Sequence, residues 1–150
     1  MTTVVQTRQI AIAASTIALA EGERYAGSVL DEQGHHLHHL VLMAPRPGSR
    51  LHWQAAMDWA ASVGGALPNR QEQALLYANC KPHLQPTWHW TSEALNSSSA
   101  WYCGFNYGYQ YVNPKSYEGS AVAVRRSTRP YGLLFFYSCV PEGAERPVER

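Results

Sequence analysis

The sequence predicts an α+β fold in which short antiparallel strands flank two helices. Three observations carry this prediction. Apolar residues alternate at period two in the first third of the chain, a helical period of 3.6 begins at Leu51, and strand-like pieces return after Trp88. A chain of 150 residues is long enough to bury a core without help from metals or disulfides.

Four short strands are predicted in an N-terminal β-rich extension that covers residues 1–49. The turn Asp31-Glu32-Gln33-Gly34 joins the second pair as a hairpin, because glycine tolerates the positive φ that a tight turn requires. The two prolines of residues 44–49 then end the β pattern. The predicted strands are Gln9–Ala13, Thr16–Ala20, Tyr25–Leu30 and Leu37–Met43.

Two helices are predicted at the start of the next domain, residues 50–127. The first ends at Gly64-Gly65. The second follows the N-cap residue Asn69, to which Glu72 returns as in a capping box, and it ends before Pro82. We interpret Asn69 and Glu72 as this cap rather than as an acid-base pair. The apolar face of the first helix consists of Trp53, Ala56, Met57, Ala60 and Val63.

Three further strands are predicted after the helices, at Thr87–Ser92, Trp101–Asn106 and Ala121–Arg125. In the second of these, side chains alternate so that one face can join the core. Residues 128–150 form a C-terminal segment, which we assign to the same globular unit. Its apolar run Leu133–Val140 is either another strand or a partner-facing segment, and Glu142–Arg150 is a charged tail.

Composition argues against two classes of partner. Twelve Lys and Arg balance 11 Asp and Glu, so the formal net charge of +1 does not favour nucleic acid. Apolar stretches stay shorter than the roughly 20 residues of a membrane-spanning helix.

Three widely spaced cysteines favour a reducing compartment over a disulfide framework. The apolar segment Ile10–Ala20 is interpreted as a hairpin rather than a signal peptide, since Ser15 and Thr16 interrupt it.

Several motifs occur in an order that resembles a known family over about residues 50–126. They are a helix containing Trp53, then Gly-Gly-Ala-Leu-Pro, a second helix opening Asn-Arg-Gln-Glu, and Trp-His-Trp-Thr-Ser, Ala-Trp-Tyr, Tyr-Gly-Tyr-Gln and Ala-Val-Arg-Arg. This order resembles the C-terminal domain of the collagen-like adhesin Lcl, which is common in bacterial surface proteins and in phage and prophage genes.

The resemblance implies a C-type-lectin-like fold, with two helices packed on a small antiparallel sheet and a long irregular loop region that carries the ligand surface. It also implies adhesion or receptor recognition by a homo-oligomer, with a trimer favoured. We expect synthesis in the bacterial cytoplasm without a clear signal peptide, with the tail tip of a virion as the candidate location. The calcium motif of sugar-binding lectins is missing, because Thr87 follows Gln85-Pro86. We therefore expect no cofactor and no calcium-dependent sugar binding.

The candidate ligand surface is the aromatic excursion between the last two strands. Tyrosine presents a large rigid surface at low entropy cost, while Asn, Gln and Lys supply a polar rim. The odd-numbered tyrosines alternate with smaller residues, so in an extended segment their rings share one side. The alternative is that these rings pack as core or as a subunit contact. The predicted site residues are Asn106, Tyr107, Tyr109, Gln110, Tyr111, Asn113, Lys115 and Tyr117.

Other constellations do not outweigh this interpretation. The cluster His35-His36-Leu37-His38-His39 could hold a metal, but no Cys or carboxylate beside it in sequence completes four ligands, so we favour a solvated strand. Catalytic motifs are not recognisable, and we predict a protein that is not an enzyme. The function predicted is receptor or ligand binding to a host-surface glycan or protein; the alternatives are a structural protein of a phage particle and an intracellular inhibitor.

Overall fold

A computed structural model describes residues 6–12 and 14–128. The chain divides into two units, one of residues 18–128 and the other of residues 1–17 with 129–150. Within the second, the described residues 6–12 and 14–17 form neither helix nor strand. None of the helices in the described ranges is long and apolar enough to cross a membrane. The predicted segments Leu133–Val140 and Glu142–Arg150 lie outside the described residues.

The first sheet has three antiparallel strands in the order β1-β2-β6, formed by β1 (Arg24–Leu30), β2 (His36–Leu42) and β6 (Val124–Ser127). The predicted hairpin between β1 and β2 is confirmed. Its turn places Gly34 at φ +85°, and the Asp31 carboxylate accepts hydrogen bonds from the backbone of Gln33 and His35. β2 therefore lies in the centre of this sheet, with β6 bringing the late part of the chain beside it.

Both predicted helices are confirmed. Helix α1 spans Trp53–Ser62 and is capped by the His52 side chain, and Gly64 follows it at φ +83°. Helix α2 spans Arg70–Cys80. The Asn69 side chain accepts from the backbone of Glu72 at 2.8 Å, while Glu72 accepts from the Asn69 backbone at 2.9 Å. This reciprocal pair is the predicted capping box, and a short 3-10 turn, Lys81–His83, ends the helical region.

The second sheet is also antiparallel, in the order β3-β4-β5. Its strands are β3 (Trp88–Ala94), β4 (Ser99–Gly104) and β5 (Gln110–Pro114). Each end of β3 and β4 lies within two residues of the corresponding end of its predicted strand. β5 was not predicted as a strand of its own, because its sequence lies inside the excursion that we interpreted as a binding loop. The predicted strand Ala121–Arg125 begins its ladder only at Val124.

Two apolar clusters hold the unit of residues 18–128 together. One lies between the first sheet and α2 and includes Leu40, Leu76 and Phe105, and the other surrounds Trp90 beside α1. The indole of Trp90 donates to the backbone oxygen of Leu51 at 2.8 Å. Complete burial of Trp90 contributes on the order of 3 kcal/mol, since the ring leaves water while its polar N–H remains bonded.

The predicted strands Gln9–Ala13 and Thr16–Ala20 are wrong within the described residues, which have no strand there. Side chains, rather than a strand ladder, satisfy the backbone at the end of this segment. The backbone N–H of Ala20 donates to the Glu23 carboxylate, and Arg125 donates to both Ala18 and Glu23. Alternating apolar residues therefore did not identify a strand in this segment, where the half-buried Arg125 side chain, rather than a neighbouring strand, bonds the Ala18 carbonyl.

Candidate functional site

A tight turn between β4 and β5 presents the predicted tyrosines to solvent. The backbone N–H of Gly104 donates to the backbone carbonyl of Tyr109, and Gly108 adopts φ +81°. Tyr107, Tyr109, Tyr111 and Tyr117 are 81%, 48%, 63% and 54% exposed. The prediction that the rings of Tyr107, Tyr109 and Tyr111 share one side assumes an extended segment. This assumption is wrong for Tyr107. That residue lies in the turn, before the positive φ of Gly108, and β5 begins only at Gln110.

Tyr109 and Tyr111 lie beside a third tyrosine, Tyr102, which is not among the predicted site residues. Tyr111 is directly opposite Tyr102 in the β4–β5 pair, so both side chains point to the same face. The ring centroids of Tyr102 and Tyr109 are 5.9 Å apart in an edge-on arrangement. Partial burial and then the neighbouring Tyr109 and Tyr111 phenols raise the pKa of Tyr102. The three phenols therefore form one cluster.

This cluster continues along the face of the second sheet. The centroid of Trp88 is 5.2 Å from that of Tyr102, and the guanidinium carbon of Arg50 lies 5.3 Å above the Trp88 ring. We call Trp88, Tyr102, Tyr109 and Tyr111 the aromatic strip. Its Trp end is cationic, and its Tyr end is the exposed turn. A row of partly exposed rings with a cation at one end can stack on a sugar or on an apolar patch of a protein.

The polar residues predicted to surround the tyrosines have different environments. Gln110 lies on the opposite side of β5 from Tyr111, where its amide donates to the Arg70 carbonyl at 2.6 Å and accepts from the Arg70 side chain at 3.1 Å. Its hydrogen bonds hold β5 to α2. Asn106 is exposed in the turn, and Asn113 is half-buried opposite Ala100.

Lys115 lies near α1. Its Nζ is 4.5 Å from the ring centroid of Trp53, and its backbone oxygen accepts from the Trp53 backbone. Tyr117 lies in the next turn, where its N–H donates to Pro114. The predicted site residues therefore have three kinds of environment. Tyr109 and Tyr111 belong to the exposed strip, and Gln110 and Lys115 make internal contacts. The others lie around them: Asn106, Tyr107, Asn113 and Tyr117.

The platform below the strip is closely packed. The Trp53 indole donates to the Thr91 carbonyl at 2.9 Å, which holds α1 to β3. Trp88 contacts Trp90 edge-on, with centroids 4.9 Å apart. A Cβ built on Gly119 would lie 2.5 Å from Cη2 of Trp88, so only a glycine leaves space for this ring. The strip is therefore built on side chains that have little freedom to move.

The histidine cluster is less solvated than predicted. His38 Nε2 lies 2.8 Å from the Glu72 carboxylate, and the Tyr25 hydroxyl lies 2.7 Å from His39 Nδ1. The ring centroids of His36 and His39 are 4.4 Å apart. The interpretation of a fully solvated strand is wrong for His38, which packs against α2. Among the described residues, no group of three or more His, Cys, Asp or Glu has the arrangement of a metal site.

The cysteines in the described ranges are buried. Cys80 and Cys103 are both free thiols in the core, and Cys139 lies outside the described residues. Burial raises the pKa of Cys103 to about 11. Both thiols therefore contribute to packing, because a reactive cysteine needs a stabilised thiolate.

A cleft lies beside the cationic end of the strip. It has a volume of about 460 Å³ and is lined by residues 46–50 together with His83, Gln85, His89, Ser120 and Ala121. His89 is 2% exposed, and its Nδ1 donates to the Thr87 carbonyl at 3.0 Å. Burial is the largest cause that lowers the pKa of His89, to about 4, and Arg46 and Arg50 lower it further. The imidazole is therefore neutral near pH 7.

Sequence reasoning missed Tyr102, Arg50 and His89. Alternation within β4 does not single out Tyr102, because both faces of that strand pack against apolar clusters: Cys103 belongs to one, and Tyr102 packs against the other. Arg50 follows two prolines in a segment without periodicity, and His89 was treated as an isolated histidine. No local pattern connects the 46–50 segment to β3, because their proximity depends on tertiary structure.

Comparison with protein-family models gives no match for this chain, and comparison with curated proteins gives no significant match.

Proposed function

We propose that this protein is a non-catalytic recognition domain of phage or prophage type, which binds a host-surface glycan or protein through the aromatic strip. The observation that carries the proposal is the exposure of Tyr109 and Tyr111 beside Tyr102, at one end of a row that continues to Trp88 and Arg50. Aromatic residues at recognition surfaces supply contact area without a large loss of side-chain entropy.

The finer fold assignment, a C-type-lectin-like domain, is part of this proposal. Its support is the closure of the first sheet: β2 and β6 pair, although 81 residues separate Leu42 from Val124. Both helices and the whole second sheet lie between these two strands in the sequence. Such an arrangement supports a binding surface on a long loop region whose ends are fixed in a sheet, as the family resemblance implies.

The binding test compares wild-type protein with the triple variant Tyr107→Ala, Tyr109→Ala and Tyr111→Ala on a glycan array and on a panel of bacterial cells. We expect the variant to lose at least tenfold in apparent affinity for any target that the wild type binds. Tyr25→Ala is the control, since Tyr25 is also exposed but lies on β1. Unchanged binding by a folded triple variant would rule out the strip as the recognition surface.

A homo-oligomer, with a trimer favoured, belongs to the same proposal, since several weak sites on one particle give avidity. Light scattering of the full chain and of a chain truncated after Ser127 measures this directly. A monomer at micromolar concentration in both cases would contradict it.

A further inference from the structure

We propose that the cleft bounded by Arg46, Arg50 and His89 binds a small anion that also carries hydroxyl groups, of the sugar-acid type. The cleft joins a buried hydrogen-bond acceptor to two arginines within a volume of about 460 Å³. That volume lies in the range of small-molecule sites, about 300–1,000 Å³. The proposal does not depend on the function assigned to the tyrosines.

His89 supplies the acceptor. Its partner at Nδ1 is a carbonyl oxygen, so Nδ1 must carry the proton and Nε2 has the free lone pair in the neutral ring. The ring is fixed by Phe105, with centroids 4.8 Å apart. Since His89 lines the cleft and its other ring nitrogen is already bonded, a ligand hydroxyl in the cleft can donate to Nε2.

The two arginines supply the charge. Within residues 6–12 and 14–128, the salt bridges formed by arginine involve Arg125 and Arg126, and neither Arg46 nor Arg50 pairs with a carboxylate. Arg46 is held in place by bonds from Nη1 to the carbonyls of Ala44 and Pro45, at 3.2 and 3.0 Å. Arg50 lies over Trp88. A carboxylate between these side chains would give charge-assisted hydrogen bonds.

The remaining lining favours a hydroxylated ligand over a simple anion. Ser49, Gln85 and Ser120 are all able to donate and accept. A carboxylate has no proton to give to His89 Nε2, so a ligand that engages both the arginines and His89 needs a separate hydroxyl group. Sugar acids combine these two features in one small molecule.

The test uses the full chain and three probes of matched size: glucuronate, glucose, which lacks the charge, and cyclohexanecarboxylate, which lacks the hydroxyls. Titration is followed by NMR on protein with ¹⁵N-labelled histidine at pH 7. We expect glucuronate to bind at least tenfold more tightly than either comparison probe and to move the Nε2 signal of His89. Equal binding of the three probes, or an unmoved His89 signal at saturation, would overturn the proposal.

Two variants locate the site. Arg50→Met keeps an unbranched side chain and removes the guanidinium and its charge, and we expect it to weaken glucuronate binding at least tenfold. Arg24→Met is the control, because Arg24 lies on β1 away from the cleft lining, and it should bind as the wild type does. If Arg50→Met binds glucuronate normally, the cleft is not the site. The tyrosine variants should leave glucuronate binding unchanged, which separates this result from the array experiment.

Discussion

Arg126 donates a hydrogen bond to each carboxylate oxygen of Glu72, and both distances are 2.7 Å. Glu72 is fully buried, and His38 and the Asn69 backbone also contact its oxygens. Burial alone raises the pKa of this carboxyl, but the bonds from Arg126, Asn69 and His38 outweigh it and lower the pKa below its ordinary value. One carboxylate therefore caps α2 and joins the helix to strands β2 and β6.

Removing one partner of this pair should destabilise the fold strongly. We expect Arg126→Met to lower the free energy of unfolding by about 3 kcal/mol, because it leaves the buried Glu72 carboxylate without its charged partner. Glu72→Gln leaves Arg126 exposed to water and should lower the free energy of unfolding less, by about 1–2 kcal/mol, through the lost hydrogen bonds. Urea unfolding measures the change. Glu118→Gln, at an exposed position, is the control and should change stability by less than about 0.5 kcal/mol. Similar losses for Glu72→Gln and Glu118→Gln would contradict the role of the pair.

His89 should make stability depend on pH between about 4 and 6.5. The folded pKa is about 4, below the ordinary value of 6.5, so the unfolded chain binds a proton in this range and the folded chain does not. The stabilisation is fully present above pH 6.5 and decreases by about 3 kcal/mol as the pH falls to 4.

The variant His89→Phe isolates this contribution. The Thr87 carbonyl also accepts from the Phe105 backbone, so removal of the imidazole leaves it bonded. His39 has a lowered pKa too, through burial and then His36 and His38, and it acts in the same direction in both proteins. The slope of unfolding free energy against pH reports the number of protons taken up on unfolding. We expect this number, measured in urea from pH 4.5 to 6.5, to be smaller by about one in the variant. Identical slopes would show that His89 does not titrate in this way.

Local signals in the sequence were sufficient for the helices and for most of the strands. The capping box at Asn69 depends on residues three positions apart, and the β1–β2 turn depends on Asp31 and Gly34. Both can therefore be read from short segments. The wrong strand predictions concern features that depend on distant parts of the chain. Ile10 and Ile12 alternate like a strand, yet strand pairing requires a partner edge that the local sequence does not reveal.

The candidate site was predicted only in part, for the same reason. Exposure of Tyr109 and Tyr111 follows from a polar, glycine-rich excursion, but their association with Tyr102 depends on the register of β5 against β4. The role of Gln110 also depends on tertiary structure, because its hydrogen bonds go to Arg70, 40 positions earlier. The ion pair of Glu72 with Arg126 joins residues 54 positions apart, and the capping-box pattern at Glu72 does not indicate this second partner.

Gly119 should be required for the position of Trp88. A Cβ at residue 119 would overlap the indole, which Trp90 and Tyr102 also contact. We expect Gly119→Ala to lower the free energy of unfolding by about 1–3 kcal/mol through overpacking, and to shift the tryptophan emission spectrum as Trp88 moves. Gly48→Ala is the matched control, since a Cβ there meets no atom within 4 Å. A Gly119→Ala protein with wild-type stability and emission would show that Trp88 is not held in this way.

Single substitutions at the tyrosines should separate the aromatic strip from a surface made of exposed residues in general. Tyr107 is the most exposed of the three, but Tyr109 and Tyr111 are the two that lie beside Tyr102. If the strip is the recognition surface, Tyr109→Ala and Tyr111→Ala should each weaken binding to an array-identified target at least tenfold, which corresponds to about 1.4 kcal/mol, while Tyr107→Ala should weaken it less than threefold. Circular dichroism of each variant controls for folding. A larger loss at Tyr107 than at Tyr111 would instead place the contact on the turn and remove Tyr102 from the binding surface.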